Sequence, residues 1–526
     1  MLRIPLTLRC GGSRPTFPVI GVLSIGMSMG MGMSSPTVHA QAQTEATVTG
    51  RTLSITPELS VSQTLTDNGR LSPSDRQADL ITRVSPTLHV RSNGGRIQGF
   101  VDYSLSGLIY AKSSASNTVQ QSLNADVKAE AIENFAYLKA TANISQQNIS
   151  AFGIQSPDPS LRTANQTEVS TFTLEPYIKG RLANMANYDA RLTYSATRSG
   201  NQTFGNSTRS GAGVRFGSDN SQARINWAVD ASRETTGFSA GRETQSDLAT
   251  GSLIFSPTPE VQLTARGGRE SNTIASIDRQ ASNTYGLGLR WTPSPRTSVS
   301  VDRDQRFFGS SHSVSLVHRT PRTAWAFSDS RSVSSDAFGA SRGVPLTEFD
   351  LLFLTLTSRF PDPIQRAQQA LIQLQALGIN PGAIAQGGFL TDAVSLQRRQ
   401  DLSAALNGLR SNLILSAFKT ETRRLDAISA VIDPLSSGIV IRQRGFSAAL
   451  AHRLTPESTI NLITTQTRSS SSLTGATTNL LSVTSTWTSR LGERTQVSLG
   501  ARHAVSDGDT APYTESALIG TFLMNF

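Results

Sequence analysis

Period-two alternation in runs of about ten residues limits this chain more than any other feature of its sequence. Ile97, Gly99, Val101, Tyr103, Leu105, Gly107 and Ile109 alternate with mostly polar partners. Ala223, Ile225, Trp227, Val229 and Ala231 repeat the pattern, as do Tyr285, Leu287, Leu289 and Trp291. Such alternation marks a strand with one apolar face. About ten residues is what a tilted strand needs to cross a bilayer, whereas strands of soluble sandwiches are usually nearer five or six.

Turns punctuate the runs. F-S-P-T-P-E-V (255–261), W-T-P-S-P-R-T (291–297), R-T-P-R-T (319–323) and L-T-P-E-S-T (454–459) each end one strand and begin another, and L-G-E-R-T (491–495) is a variant with Gly492 in the proline's place. Proline presets φ and cannot donate to a ladder, so it belongs between strands. R-S-N-G-G-R (91–96) adds an Asn-Gly hairpin turn. Pro257 and Pro293 are 36 residues apart, as are Pro456 and Gly492, one two-stranded unit in each case. Longer polar segments at 66–77, 199–211 and 267–280 alternate with these tight turns, the asymmetry of outer-membrane barrels. The fold class expected is all-β: one large antiparallel transmembrane β-barrel of about 22 strands (range 16–24) with a short helical insertion. An even count with strand one rising from residue 55 puts both termini and every Pro turn on the periplasmic side.

D-P-I-Q-R-A-Q-Q-A-L-I-Q-L-Q-A-L-G (362–378) breaks the pattern. Asp362 as N-cap, Pro363 at the first position and Gly378 at the end frame a helix with Ile364, Ala367, Ala370, Leu371, Leu374 and Leu377 on one face. The insertion at 345–388 is therefore expected to be a partly helical loop or plug that constricts the pore.

The amino terminus carries export features. Arg3, Arg9 and Arg14 precede an apolar stretch at 18–33, and Val38-x-Ala40 suits signal peptidase, so residues 1–40 read as a signal peptide and 41–526 as the mature barrel. Cys10 falls within the leader, leaving a mature chain without cysteine or disulfides. Only 37% of residues are hydrophobic and 16% charged, so Ser, Thr, Gly, Asn and Gln make up the balance. That suits a wall with lipid outside and water inside. The formal charge of +10 becomes +7 without the leader, and arginine carries nearly all of the positive share. Arginine suits bidentate contact with phosphate or carboxylate, as on lipopolysaccharide or an acidic glycan.

The residue types of most enzyme sites are not arranged for catalysis. His89, His312, His318, His452 and His503 are scattered without metal-ligand spacing, and no nucleophile elbow, Walker loop or His-Glu-x-x-His occurs. G-L-G-L-R-W (286–291) reads as a glycine-lightened wall strand, and Asp302 and Asp304 as part of a lumen or lipopolysaccharide-facing charge lattice. No catalytic, cofactor-binding or metal-binding residues are assigned, no cofactor is implied, and no nucleic acid partner is expected. An outer-membrane hydrolase built on Asp302, Asp304 or His318 stays as a minor alternative.

I-T-P-E-L-S-V-S-Q-T-L-T-D-N (55–68), D-L-I-T-R-V-S-P-T-L-H-V (79–90) and F-L-T-D-A-V-S-L-Q-R-R-Q (389–400) resemble the PEP-CTERM system-associated outer-membrane β-barrel family of Gram-negative bacteria. Thr66-Asp67-Asn68 and Leu396-Gln397-Arg398-Arg399 are its most specific motifs here; Leu65 and Gly69 depart from the pattern. The resemblance implies a cell outer-membrane barrel linked to exopolysaccharide export or surface anchoring, with polysaccharide and periplasmic export components as partners. A non-transporting scaffold of the same secretion system is the alternative. The closing A-L-I-G-T-F-L-M-N-F (517–526) resembles the signal read by barrel-assembly machinery, with Phe526 last.

Overall fold

The computed structural model describes residues 53–113, 116–182, 185–201, 205–218, 223–335, 366, 388–426, 435, 439–509 and 512–526. The leader, 1–40, lies outside them, as does the insertion at 345–388 except Arg366, which is helical, and Gly388.

Every strand pairs antiparallel with its neighbours in sequence, and β1 (Leu53–Thr66) pairs with β22 (Tyr513–Asn525), closing a barrel of 22 strands as expected. The strands run from 10 residues in β13 (Thr297–Arg306) to 17 in β6 (Gln166–Leu182). Many are thus longer than a ten-residue crossing needs, and the excess stands beyond the apolar band.

One parity of each strand faces outward. Across β11 (Val261–Asn272), β12 (Gln280–Ser294), β13 and β14 (Gly309–Arg319), Leu263, Leu289, Val301 and Val314 form one continuous row of partners. Closing the sheet leaves no edge strand with a row of unpaired ladder groups, and the apolar face meets lipid. The four tryptophans, Trp227, Trp291, Trp325 and Trp487, all face outward and are between 39% and 46% exposed. Each lies two or three residues from the same end of its strand. Amphipathic indoles favour the headgroup level, so they mark one membrane interface.

The tight turns gather at that end, joining strands at 94–96, 259–260, 295–296, 320–322, 408–410, 454–457 and 491–494. At the other end are the long connections 67–78, 149–165, 335–394 and 425–439, with shorter ones at 239–243, Phe307–Phe308, 472–476 and 509–512. Pro257 and Pro293 are not between strands but inside the last residues of β10 (Thr244–Thr258) and β12. Register slips between Phe255 and Thr258 and between Trp291 and Ser294. A proline without an N–H can stay in a strand where the ladder is already interrupted.

Candidate functional site

The inner face is polar and charged over most of its height. Asp302 and Asp304 point inward and both grip Arg266, whose Nη1 donates to the two Asp304 oxygens at 2.9 and 3.1 Å. Their neighbours Gly286 and Gly288 leave the space for this: a Cβ on Gly286 would overlap Asp304 Oδ1, and one on Gly288 would crowd Arg266 Nη2 at 2.7 Å. The glycines of 286–291 thus accommodate an internal ion-pair cluster. Arg209 pairs with Glu234 at 2.9 Å and Arg399 with Asp401 at 2.7 Å on the same inner face. Tyr137 stacks on Tyr177 with centroids 5.0 Å apart, covered by Lys128 and Lys179.

His318 does not join the aspartates. It faces outward, partnered with Thr297 at 2.9 Å, while Asp302 and Asp304 face the lumen. The wall therefore separates these candidate groups. His89 faces inward and contacts Asp102 at 2.6 Å, with Glu58 at 3.7 Å. His312, His452 and His503 face outward beside Asp329, Ser411 and Ser516. No group of three or more His, Cys, Asp or Glu side chains suited to a metal ion occurs among the described residues.

The lumen is different at the long-loop end, where segments 149–165 and 388–394 fold inward over the wall. On β3 (Ile97–Tyr110) Tyr110 donates from its hydroxyl to Ser160 O at 2.5 Å, and on β22 Tyr513 donates to Gln155 O. Thr478, on β20 (Thr477–Arg490), donates to Phe152 O at 3.3 Å. All three anchors have inward parity, so the segment they hold lies inside the barrel. Leu161 is fully buried against Leu71, Ile81, Leu108, Tyr110 and Tyr513. At about 25 cal/mol per Å² of apolar area, burying one leucine stabilises this placement by roughly 1.5–3 kcal/mol.

Arg502, on β21 (Thr495–Gly508), is the polar centre of the anchorage. Its Nε and Nη2 donate to Glu515 at 3.1 and 2.9 Å, its Nη1 donates to Asp158 at 2.6 Å, and Thr66 donates to Glu515 at 2.9 Å. The side chains of Arg502 and Glu515 are only 2% and 0% exposed. Burial pushes the Asp158 carboxyl up, but the Arg502 guanidinium and the Ser160 amide overcome it and hold it below the usual carboxylate range. Beside this cluster, Asn68 is fully buried; it donates to Ser72 O and Thr514 O at 2.8 and 3.0 Å and accepts from Ser72 N. Asp67 accepts from Ser516 N at 2.7 Å. Thr66-Asp67-Asn68 is therefore the clasp of the β1–β22 seam.

The second inward segment is held by Asp392, which accepts from Gly205 N at 2.7 Å and Ala240 N at 3.1 Å. Phe389 packs with Ala151, Leu435 and Ile441, and Val394 with Phe238 and Ile274. Leu390 N donates to Ile149 O at 3.2 Å, joining the two segments. Together they touch strands and loops around much of the ring.

The insertion expected at 345–388 to constrict the pore lies outside the described residues except Arg366 and Gly388, and the sequence expectation does not include the inward segments 149–165 and 389–394. A signal for them existed: Ile81, Leu108 and Tyr110 put apolar groups on the inward parity beside Leu80 and Ile109 on the outward one. A strand end apolar on both faces is covered on both.

No protein-family model matches the chain, and no curated protein does. Among solved structures, the chain is similar to the FrpB iron transporter of Neisseria meningitidis (F5-1 variant, apoprotein) at 10% identity and TM-score 0.45, covering 90% of this chain and 81% of that one. It is also similar to the siderophore receptor PirA of Acinetobacter baumannii, at 8% identity and TM-score 0.44, with 90% and 80% covered. A third is the outer membrane protein opdK of Pseudomonas aeruginosa, at 9% identity and TM-score 0.33, with 90% and 99% covered.

Proposed function

We propose that this protein is a porin-like conduit of the outer membrane whose pore is restricted at the long-loop end. The observation that carries this reading is the contrast within the lumen: a charged, hydroxyl-rich inner wall over most of its height, and inward segments across one mouth. Serine, threonine and arginine groups on the wall offer replaceable hydrogen bonds to a hydroxyl-rich chain moving past them. This chemistry supports a glycan as the cargo, in the exopolysaccharide system that the sequence resemblance implies. The tight-turn end faces the periplasm, and a cleaved leader delivers the chain there.

Planar-bilayer recording tests the conduit. The wild-type protein should show small, infrequent openings, and a variant with residues 150–164 replaced by a short Gly-Ser linker should conduct at least several-fold more. An acidic polysaccharide added to one side should block that current. If the loop-deleted barrel folds and stays silent, it is not a conduit. The same occlusion favours a non-transporting scaffold as second reading, which predicts that silence.

We also propose that the final strand addresses the chain to the barrel-assembly machinery. Phe526 is 58% exposed and its amide donates to Pro57 O at 3.0 Å across the seam. Deleting Phe526 should lower the yield of heat-modifiable barrel in membranes several-fold while export to the periplasm continues. Unchanged membrane yield would remove the assignment.

A further inference from the structure

The outer wall carries a feature that passage through the lumen does not use. On β17 (Ser411–Arg424), β18 (Val440–Arg453) and β19 (Ser458–Ser471), Lys419, Arg444 and Arg468 are consecutive cross-strand partners, Lys419 with Arg444 and Arg444 with Arg468. The row below them is Ala417, Phe446 and Gln466, continuing to the exposed Leu481 on β20, so this parity faces lipid. All three cations are exposed, and among the described residues none has a carboxylate within ion-pair distance.

Like charges directly opposite one another destabilise a sheet, and no internal contact offsets that here. Two acids on this face are committed elsewhere: Glu421 pairs with Arg442 at 3.4 Å and Asp329 with Arg398 at 2.8 Å. Asp507 closes the row beyond Asn479. A groove of about 470 Å³ opens beside Arg444 and Arg468, with Phe446, Gln466 and Asn479 in its lining together with the carboxylates of Asp507 and Asp509, the latter accepting from Thr477 N at 2.8 Å. Gln466 Nε2 donates to Asn479 Oδ1 at 3.0 Å, which leaves the Asn479 amide nitrogen as a further donor on this row.

Height along the strands fixes what can lie there. Arg468 is eight residues from Ile460, the partner of Trp487 in the tryptophan girdle. At about 3.3 Å per residue and a tilt of about 40°, that is roughly 20 Å along the membrane normal. With an apolar band about 25 Å tall, the cations stand just inside the opposite interface, where long Lys and Arg side chains reach up to the headgroups. Three cations across two strand spacings of about 4.8 Å make an array about 10 Å wide, a match for a headgroup with more than one phosphate. A second copy of this barrel would bring the same unpaired cations against each other.

We propose that Lys419, Arg444, Arg468 and the Asn479 amide form a binding site on the outer wall for a glycolipid headgroup carrying two phosphates, its acyl chains lying against Phe446 and Leu481. Arginine forks and a lysine ammonium are suited to phosphate oxygens at a membrane surface.

Native mass spectrometry of the purified full chain in detergent, titrated with diphosphorylated lipid A, phosphatidylglycerol or inorganic phosphate, tests the site. Lipid A should bind at least tenfold tighter than phosphatidylglycerol, and inorganic phosphate should not register. Arg444→Gln/Arg468→Gln should lose at least tenfold of the lipid A affinity while keeping its heat-modifiable migration, and Arg444→Lys/Arg468→Lys should retain most of it. Should the double glutamine variant fail to fold, Lys419→Gln, at the edge of the array, should still weaken lipid A binding several-fold. Equal binding by wild type and a folded glutamine variant, or phosphatidylglycerol matching lipid A, would overturn the proposal. So would self-association that the glutamine variant abolishes without any change in lipid binding.

Discussion

Arg502→Leu is expected to be the most damaging single substitution in the lumen. It leaves Glu515, whose side chain has no exposure, without its bidentate partner, and frees Asp158 from the wall. Removing one member of a buried ion pair costs about 3–5 kcal/mol, whereas replacing both by apolar groups is often near neutral. The temperature of the heat-modifiable gel shift should therefore fall sharply in Arg502→Leu and recover in Arg502→Leu/Glu515→Leu. Both variants lack the anchor to Asp158, so both should show larger and more frequent channel openings than wild type. Recovery of stability without recovery of closure would separate the two roles of this arginine. An unaltered gel shift in Arg502→Leu would mean that Glu515 reaches water and that the cluster is not buried.

Acid gives a second readout of the same anchor. The folded-state carboxyl of Asp158 lies below its ordinary range. A depressed carboxyl contributes its full stabilisation above the unfolded value of about 3.9, and loses it only as pH falls through the lower native value. The closed state should thus be flat in pH across the neutral and mildly acidic range and open only in stronger acid.

Leu289→Arg is the second large effect expected. Leu289 faces outward between Leu263 and Val301, one outward position inside the tryptophan girdle at Trp291. A cation on the lipid face costs about 2–4 kcal/mol at the bilayer midplane and less toward the interfaces, so a loss of about 1–2 kcal/mol is expected here. Ser300→Arg, at the adjacent position on β13 but on the inward parity, should be tolerated. Denaturant unfolding in lipid vesicles compares the two, and equal loss in both would refute the assignment of faces.

The reason the wall could be read from the chain is local. Each hairpin writes its own alternation and its own turn, so Leu287 and Trp291 reveal their face without reference to any other strand. Even the clasp residues Thr66-Asp67-Asn68 stand out as a motif, although their partners Thr514, Glu515 and Ser516 are at the far end of the chain. The inward segments were not legible in this way. S-P-D-P-S-L (156–161) has the composition of any polar loop, and what pulls it inward is Arg502, 344 residues away. Asp302 and Asp304 show the intermediate case: their sequence suggested a charge lattice, and the lumen was one of its two placements. The other placement, the lipid-facing wall, is occupied instead by Lys419, Arg444 and Arg468, which share no motif because each lies on a different strand.

The seam clasp also bears on the order in which the molecule is made. The groups that hold segment 149–165, Thr478, Arg502 and Tyr513, belong to β20, β21 and β22, more than 300 residues along the chain from it. Until those strands join the wall, the segment is held by its local turns and by contacts with earlier parts of the wall, among them β3 and β4 (Thr118–Ile132). Contacts of such long sequence separation form late, because the chain between them must first be ordered. The barrel should therefore seal its own mouth in the same cooperative step that joins its first and last strands. An unfinished wall would be a leaky one, and only a completed ring would be a closed door.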